Sequence, residues 1–229
     1  QTFCSWNKTY TPSAAWPPQP SEIYKPVAYV DWCDARAYCA WAGKHLCGKV
    51  GVTGGNAYAD YAKANASEWF NACSAQGVNV YPYGATFTAG QCNANGVGTV
   101  PVQIMPGMPV TGNPVLSTCL GGAPGLYQMS GNVAEWEDSC DASVGATDQC
   151  RVRGGSFTSM EAELKCDAAA AQARNATSAN VGFRCCLLAP PVPAPRSGSG
   201  AGASSKRPAT SEPDLRALAD RLAHRAVGP

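Results

Sequence analysis

The strongest periodic pattern of apolar positions lies between residues 31 and 43. The residues that recur there at the spacing of one helix face are Ala35, Tyr38, Cys39 and Ala42. Asp31 precedes them as an N-cap residue, with Asp34 three positions on, and Gly43 stands where a helix ends on a glycine. The pattern predicts an α-helix, entered through an extended segment at residues 25–30.

A second helix is predicted over residues 67–73, after an alanine-rich segment that starts at Asn56. Beyond Ser74 the pattern changes to short apolar runs separated by glycine and proline, which favours short strands and turns. These runs lie at residues 81–84, 125–127, 151–157 and 181–184. Because the chain has 24 glycines and 18 prolines, much of the backbone is expected to be irregular.

The composition changes sharply near residue 188. The residues that follow are nearly all proline, alanine, glycine or serine, which bury too little apolar surface to offset chain entropy. We therefore divide the chain into a domain at residues 1–188, a flexible linker at 189–212 and a tail at 213–229. Leucines at helical spacing predict a short helix in the tail, which we expect to be a solvated end, with docking on a partner as the alternative.

The charge and apolar composition argue against three classes of protein. Seventeen basic residues against 16 acidic ones give a net charge of +1, whereas a general nucleic-acid-binding protein needs a basic surface. An apolar fraction of 45% argues against a disordered chain. No run approaches the roughly 20 consecutive apolar residues of a membrane span. We therefore expect no nucleic-acid partner and no membrane span.

The 12 cysteines indicate an oxidising compartment. All of them lie between Cys4 and Cys186, and none forms the C-x-x-C pair of zinc sites or thioredoxin-type redox centres. Their even number favours up to six structural disulfides. Such a framework is typical of a secreted, periplasmic or cell-surface protein.

Seven short motifs follow one another over about residues 26–186. They lie at residues 26–32, 34–44, 67–69 (Ser-Glu-Trp), 81–84 (Tyr-Pro-Tyr-Gly), 125–136 (Gly-Leu-Tyr-Gln-Met-Ser-Gly-Asn-Val-Ala-Glu-Trp), 151–157 (Arg-Val-Arg-Gly-Gly-Ser-Phe) and 182–185 (Gly-Phe-Arg-Cys). In content and order they resemble the formylglycine-generating enzymes, also called sulfatase-modifying factors. The resemblance implies a disulfide-rich α+β fold, the formylglycine-generating-enzyme variety of the C-type lectin-like fold, with little regular secondary structure. A glycine-rich strand segment that usually opens family domains is expected to be missing before Gln1.

The resemblance also sorts part of the cysteine set. It aligns two pairs with structural disulfides of the family: Cys39 with Cys185, and Cys73 with Cys166. Two further pairs are expected, one of them around a short turn-rich segment: Cys140 with Cys150, and Cys92 with Cys119. The pairing of the remaining four stays open: Cys4, Cys33, Cys47 and Cys186. Among their pairings, a Cys33–Cys186 bridge is sterically doubtful beside Cys39–Cys185.

The family chemistry oxidises a substrate cysteine to formylglycine with molecular oxygen, and two active-site cysteines hold Cu(I). The first stands three residues after the serine of the Gly-Gly-Ser motif, and the second stands five residues further on. Here Ser156 matches that serine, but Ser159 stands at the first cysteine position and Met160 where a histidine is common. Residues 161–165 contain no cysteine, and a hydroxyl is a poor ligand for Cu(I). We therefore predict a degenerate site that binds no copper and generates no formylglycine.

The resemblance implies two further statements about metals. His45 follows Gly43 and Lys44 at a position that is usually basic in the family, so a surface or salt-bridging role is expected rather than metal ligation. A structural calcium site is a hypothesis, with oxygen ligands from the side chains of Gln128 and Glu135 and the carbonyls of Gly131 and Val133. Gln128 replaces the usual Asp or Asn, which removes a charge. In the alternative, Glu135 forms only a buried hydrogen bond.

These observations predict an exported domain that acts as a binding or structural module. Its ligand would be a peptide, a protein or a glycan, bound in the groove near residues 156–163 or beside Trp136. The alternative is an active formylglycine-generating oxidoreductase in which Cys166 serves an unusual metal site. That alternative requires at least one free thiol.

Overall fold

The structure is a computed structural model that describes residues 2–94, 96–102 and 119–188. The predicted linker at 189–212 and the tail at 213–229 lie outside these residues. Two α-helices and six short strands are formed within the described ranges, joined by turns and irregular segments. No helix in this part of the chain is long and apolar enough to cross a membrane.

Helix α1 spans Trp32–Trp41 and confirms the first predicted helix. A capping box closes its N-terminus: the Asp31 carboxylate accepts a hydrogen bond from the Asp34 N–H (2.8 Å), and the Asp34 carboxylate accepts one from the Asp31 N–H (3.2 Å). At the other end Gly43 adopts the left-handed conformation, with φ at +70°. Both ends of this helix are therefore determined by residues next to it in sequence, Asp31 and Gly43.

The buried face of α1 differs from the predicted one. Ala35 and Cys39 are fully buried, but Tyr38 is 52% exposed, and Ala42 is exposed as well. Trp32 is buried instead, and its indole N–H donates to the backbone carbonyl of Glu137 across the core, at 2.9 Å. Of the four predicted positions, Tyr38 and Ala42 thus do not lie on the buried face.

Helix α2 spans Glu68–Cys73 and confirms the second predicted helix. Ser67 is its N-cap, and its hydroxyl accepts a hydrogen bond from the Phe70 N–H at 3.0 Å. The same hydroxyl donates to the buried carboxylate of Glu137 at 2.5 Å. Because one side chain serves both contacts, the cap also fixes α2 against the sheet. Three 3₁₀ turns complete the helical structure: Thr2–Cys4, Tyr58–Asp60 and Glu161–Leu164.

Six strands form two sheets. Their bounds are His45–Leu46 (β1), Ala134–Cys140 (β2), Gln149–Arg153 (β3), Ala170–Ala173 (β4), Val181–Phe183 (β5) and Cys185–Cys186 (β6). The main sheet has the order β4–β3–β2–β5, in which β3 is antiparallel to β2 and β4, and β5 is parallel to β2. Strands β1 and β6 form a separate antiparallel pair.

The sequence patterns located only part of these strands. The run at 151–157 contains β3, which ends at Arg153, and the run at 181–184 contains β5. The runs at 81–84 and 125–127 contribute isolated bridges rather than strands. Strand β4 was not predicted because it is mostly alanine, and β2 was not predicted because it places charged residues at buried positions.

Three buried tryptophans, Trp32, Trp69 and Trp136, lie at the centre of the core and are each 2% exposed or less. Each indole N–H donates to a protein oxygen at 2.7 to 3.0 Å. The rings therefore contribute apolar area without leaving a buried donor unpaired.

All 12 cysteines form disulfides. The structure contains the four expected pairs, Cys39–Cys185, Cys73–Cys166, Cys92–Cys119 and Cys140–Cys150. The other two are Cys4–Cys33 and Cys47–Cys186, so the sterically doubtful bridge is not formed. A framework of six disulfides is typical of an oxidising, extracellular environment.

Candidate functional site

A glycine-dependent turn after β3 positions the segment where the resemblance places the active site. Gly154 and Gly155 both have positive φ, +81° and +66°. A Cβ atom on Gly154 would lie 2.3 Å from the carbonyl oxygen of Met129. Only glycine fits this close approach. The turn directs the chain back over the sheet, towards Ser156 and the residues that follow.

The hydroxyl of Ser159 is engaged within this turn. Its Oγ accepts a hydrogen bond from the Ser156 N–H at 3.0 Å, and the side chain is nearly buried. The Ser156 hydroxyl lies 2.9 Å from that of Thr158. The residue at the first copper position of the family therefore stabilises the turn. It presents a hard oxygen rather than a sulfur.

Leu164 stands five residues after Ser159, at the second copper position, and is 2% exposed. Ser159 and Leu164 line the same cavity, with a volume of about 410 Å³. The Leu164 carbonyl accepts a hydrogen bond from the Ser130 hydroxyl at 2.6 Å, which fixes the backbone here. The two positions thus meet in one cavity, but neither side chain there can hold Cu(I).

Cys166 is close in sequence to this cavity but carries no free thiol. It is bonded to Cys73, and both cysteines are almost completely buried. The described residues include every cysteine of the chain, and none of them is a free thiol. The alternative in which Cys166 binds a metal therefore has no thiolate available in this structure.

The wall of the cavity is aromatic and acidic. Tyr83, Phe87 and Met160 line it together with Glu161, and Met160 is 67% exposed. Tyr81 packs behind them, stacked on Tyr83 with ring centroids 5.6 Å apart. Burial, followed by the charge of Glu161 and a hydrogen bond to it, raises the pKa of Tyr81 to about 12. We call this aromatic and acidic cavity the cleft.

Two residues singled out from the sequence, Trp136 and His45, lie outside the cleft. Trp136 is fully buried and donates to the Val30 carbonyl, so its own ring offers no surface to a ligand. Its neighbour Glu135 lines a cavity, and a ligand site beside Trp136 stays a prediction. His45 lies 2.8 Å from the Glu68 carboxylate, in the expected salt-bridging position.

The proposed calcium ligands are brought close together only in part. Gln128, Val133 and Glu135 line a cavity of about 240 Å³, whereas Gly131 does not line it. Both carboxylate oxygens of Glu135 are engaged by the guanidinium of Arg184 at 2.5 and 2.6 Å. The described residues include no group of three or more His, Cys, Asp or Glu side chains that could hold a metal. The donor set contains a single carboxylate, that of Glu135, and Arg184 already neutralises it, so the set fits Ca²⁺ poorly. Bound calcium stays a prediction.

The structure is a disulfide-rich α+β domain whose cleft carries Ser159 and Leu164 where the resemblance implies two cysteines. Residues 4–188 match the model of the sulfatase-modifying factor enzyme 1-like domain, and the chain belongs to this family. The α+β fold class is confirmed.

Curated relatives carry the same domain. The formylglycine-generating enzyme of Mus musculus is 28% identical over 178 residues, 70% of this chain and 43% of the relative. The inactive C-alpha-formylglycine-generating enzyme 2 of Bos taurus is 30% identical over 176 residues, 70% of this chain and 49% of the relative. The serine/threonine-protein kinase pkn1 of Chlamydia caviae is 27% identical over 73% of this chain and 25% of the kinase. The chain thus spans between a quarter and a half of the length of these relatives.

Among solved structures, the crystal structure of CarF is similar to this chain. It has a TM-score of 0.44 and 18% sequence identity, and it covers 74% of this chain and 70% of that one.

Two features of the candidate sites were not predicted from the sequence. The cleft depends on Phe87 beside Tyr83, and Phe87 lies in no motif. The partner of Glu135 is Arg184, 49 residues away. The Gly-Phe-Arg-Cys motif contains that arginine, but no sequence pattern predicted its contact with the Glu135 carboxylate.

Proposed function

We propose that this chain is an exported, catalytically inactive member of its family that binds a ligand in the cleft. The observation that carries the proposal is the pair Ser159 and Leu164, which line one cavity at the two copper positions. Without a dithiol the cleft has no thiolate pair to hold Cu(I), and a substrate thiol then has no metal to bind.

The cysteine framework supports the same conclusion. Cys166, the nearest cysteine in sequence, and Cys92, which lines the cleft, are both closed in disulfides. An inactive relative, 30% identical to this chain, is consistent with a family that retains its fold after losing its chemistry. The six disulfides favour function outside a reducing compartment, in agreement with export.

The walls of the cleft favour a peptide that carries a basic side chain. Tyr83, Phe87 and Met160 offer apolar and aromatic surface, which suits the aliphatic part of a lysine or arginine. The charged groups that act on Tyr81 behind the wall are Glu161 and Asp167, both acidic. A cation is therefore the complementary occupant.

The test uses the complete chain and a peptide of the Cys-x-Pro-x-Arg type. After incubation with Cu(I) and oxygen, we expect no aldehyde in the peptide by mass spectrometry. We expect the peptide with serine in place of cysteine to bind, as measured by fluorescence anisotropy. Aldehyde product would contradict the loss of catalysis.

A matched pair of variants locates the binding site. Glu161→Gln removes the acid from the cleft and is expected to weaken peptide binding several-fold. Glu22→Gln removes a glutamate that lines a different cavity, and it should leave binding unchanged. Equal effects of the two variants would exclude the cleft as the peptide site.

A further inference from the structure

The carboxylate of Glu135 is held by two nitrogen-bearing side chains. Arg184 donates from Nη2 to Oε1 at 2.6 Å and from Nε to Oε2 at 2.5 Å. The Trp69 indole N–H donates to Oε2 at 2.7 Å. Such a two-point guanidinium–carboxylate contact is among the stronger charge-assisted hydrogen bonds in proteins.

The same guanidinium reaches the loop that would supply the other calcium ligands. Nη2 of Arg184 also donates to the carbonyl oxygen of Tyr127 at 3.0 Å. Tyr127 precedes Gln128, whose side chain lines the same cavity as Arg184 and Glu135. The guanidinium therefore connects the carboxylate to the loop, as a bound cation would.

The backbone fixes Arg184 in this position. Gly182 and Phe183 of β5 pair in parallel with Glu135 and Trp136 of β2, so the arginine follows directly after the paired segment. The next two residues are the cysteines of β6, which are bonded to Cys39 and Cys47. The arginine is thus held between a strand pairing and two disulfides.

The charge balance disfavours a second cation. The candidate donor set carries one negative charge, that of Glu135, and Arg184 already neutralises it. Ca²⁺ takes six to eight oxygen ligands, several of them charged in tight sites. Calcium would have to displace a doubly hydrogen-bonded guanidinium or lie beside it, where like charges repel.

We infer that this chain holds no calcium at Glu135, because the two-point contact with Arg184 engages both oxygens of the one carboxylate in the candidate donor set, and that the domain is stable without a metal. The inference is independent of the proposed function, because the cleft contains neither Glu135 nor Arg184. It further implies that removing the arginine reopens a weak site for Ca²⁺ at Glu135.

The experiment compares melting temperatures of the complete chain in EDTA and in millimolar calcium chloride. The wild type should melt at the same temperature in both and should contain no stoichiometric calcium by elemental analysis. Arg184→Gln should melt lower than the wild type in EDTA and should be stabilised by calcium. Adding Glu135→Gln to that variant should abolish the calcium response.

Two controls keep the inference open to refutation. Arg151→Gln removes an arginine that contacts the rings of Tyr58 and Tyr61, and it should show no calcium response. If Arg184→Gln does not fold, Arg184→Lys keeps a cation at the site and should melt equally in EDTA and calcium. Calcium that stabilises the wild type or Arg184→Lys would overturn the inference. So would a folded Arg184→Gln variant that is indifferent to calcium.

Discussion

Cys166 is bonded to Cys73 across 93 residues of sequence, and it stands two residues after Leu164, which lines the cleft. Cys92, which lines the cleft itself, is bonded to Cys119. Both cysteines are therefore structural residues. The Cys73–Cys166 bridge links the end of α2 to the segment that follows Leu164.

The geometry of the cleft predicts that copper binding can be restored. Ser159→Cys with Leu164→Cys places two thiols on one cavity, and we expect this double variant to bind one Cu(I), measured by a competitive Cu(I) chelator. Thiolates are the ligands that Cu(I) selects, so each single cysteine variant should bind much more weakly. If the double variant competes no better than the wild type, the two positions do not form the copper site.

Disulfides that close long loops should contribute most to stability. In the chain-entropy model the 93-residue separation of Cys73–Cys166 corresponds to about 4–5 kcal/mol, and the 10-residue separation of Cys140–Cys150 to about 3 kcal/mol. We expect the double serine variant of the first pair to lose more unfolding free energy in urea than that of the second. The reverse order would show that native-state effects outweigh loop closure.

Asp31 predicts a stability that falls as the pH rises. Burial raises its pKa to about 6 from 3.8, so the folded state binds the proton more tightly than the unfolded chain. The contribution, about 3 kcal/mol by linkage, is present below pH 4 and is lost as the pH rises through about 6.

The variant that tests this is Asp31→Asn, because asparagine is also a good N-cap residue. Urea unfolding at acidic and neutral pH should show a smaller pH dependence for Asp31→Asn than for the wild type. The difference reports Asp31 together with Asp34, because the charge of Asp34 acts on Asp31 within the same capping box. Identical pH profiles would show that its carboxyl titrates normally.

The buried pair of Glu137 and Arg153 predicts an asymmetric mutational effect. Both side chains are fully buried, with Arg153 Nε 3.3 Å from the Glu137 carboxylate. Arg153→Met leaves the carboxylate without its cation and should cost about 3–5 kcal/mol. Arg153→Met with Glu137→Gln should lose less than the single variant, since it leaves no buried charge. A double variant less stable than the single one in urea would contradict this view of the pair.

Local signals predicted the features that depend on a few adjacent residues. Asp31 and Gly43 bound α1, and the place of Ser159 three residues after Ser156 follows from motif spacing alone. Each of these depends on backbone geometry within one turn, which a short stretch of sequence determines.

The features that sequence could not predict depend on contacts between distant segments. The pairing of Arg184 with Glu135 requires β5 to lie parallel to β2, and no local pattern encodes that adjacency. The exposure of Tyr38 follows from how α1 sits on the sheet, where its ring contacts Phe183 instead of the core. The cleft could be located from Ser159, but its aromatic wall could not.

The most direct measurement is a map of the cysteines by mass spectrometry, after alkylation of the unreduced, denatured protein. If every sulfur is oxidised, no peptide carries the alkyl label, and the peptides of Cys73 and Cys166 remain linked to each other. An alkylated Cys166 accompanied by a second labelled cysteine would show reduced thiols available to a metal, and would contradict the loss of the copper site.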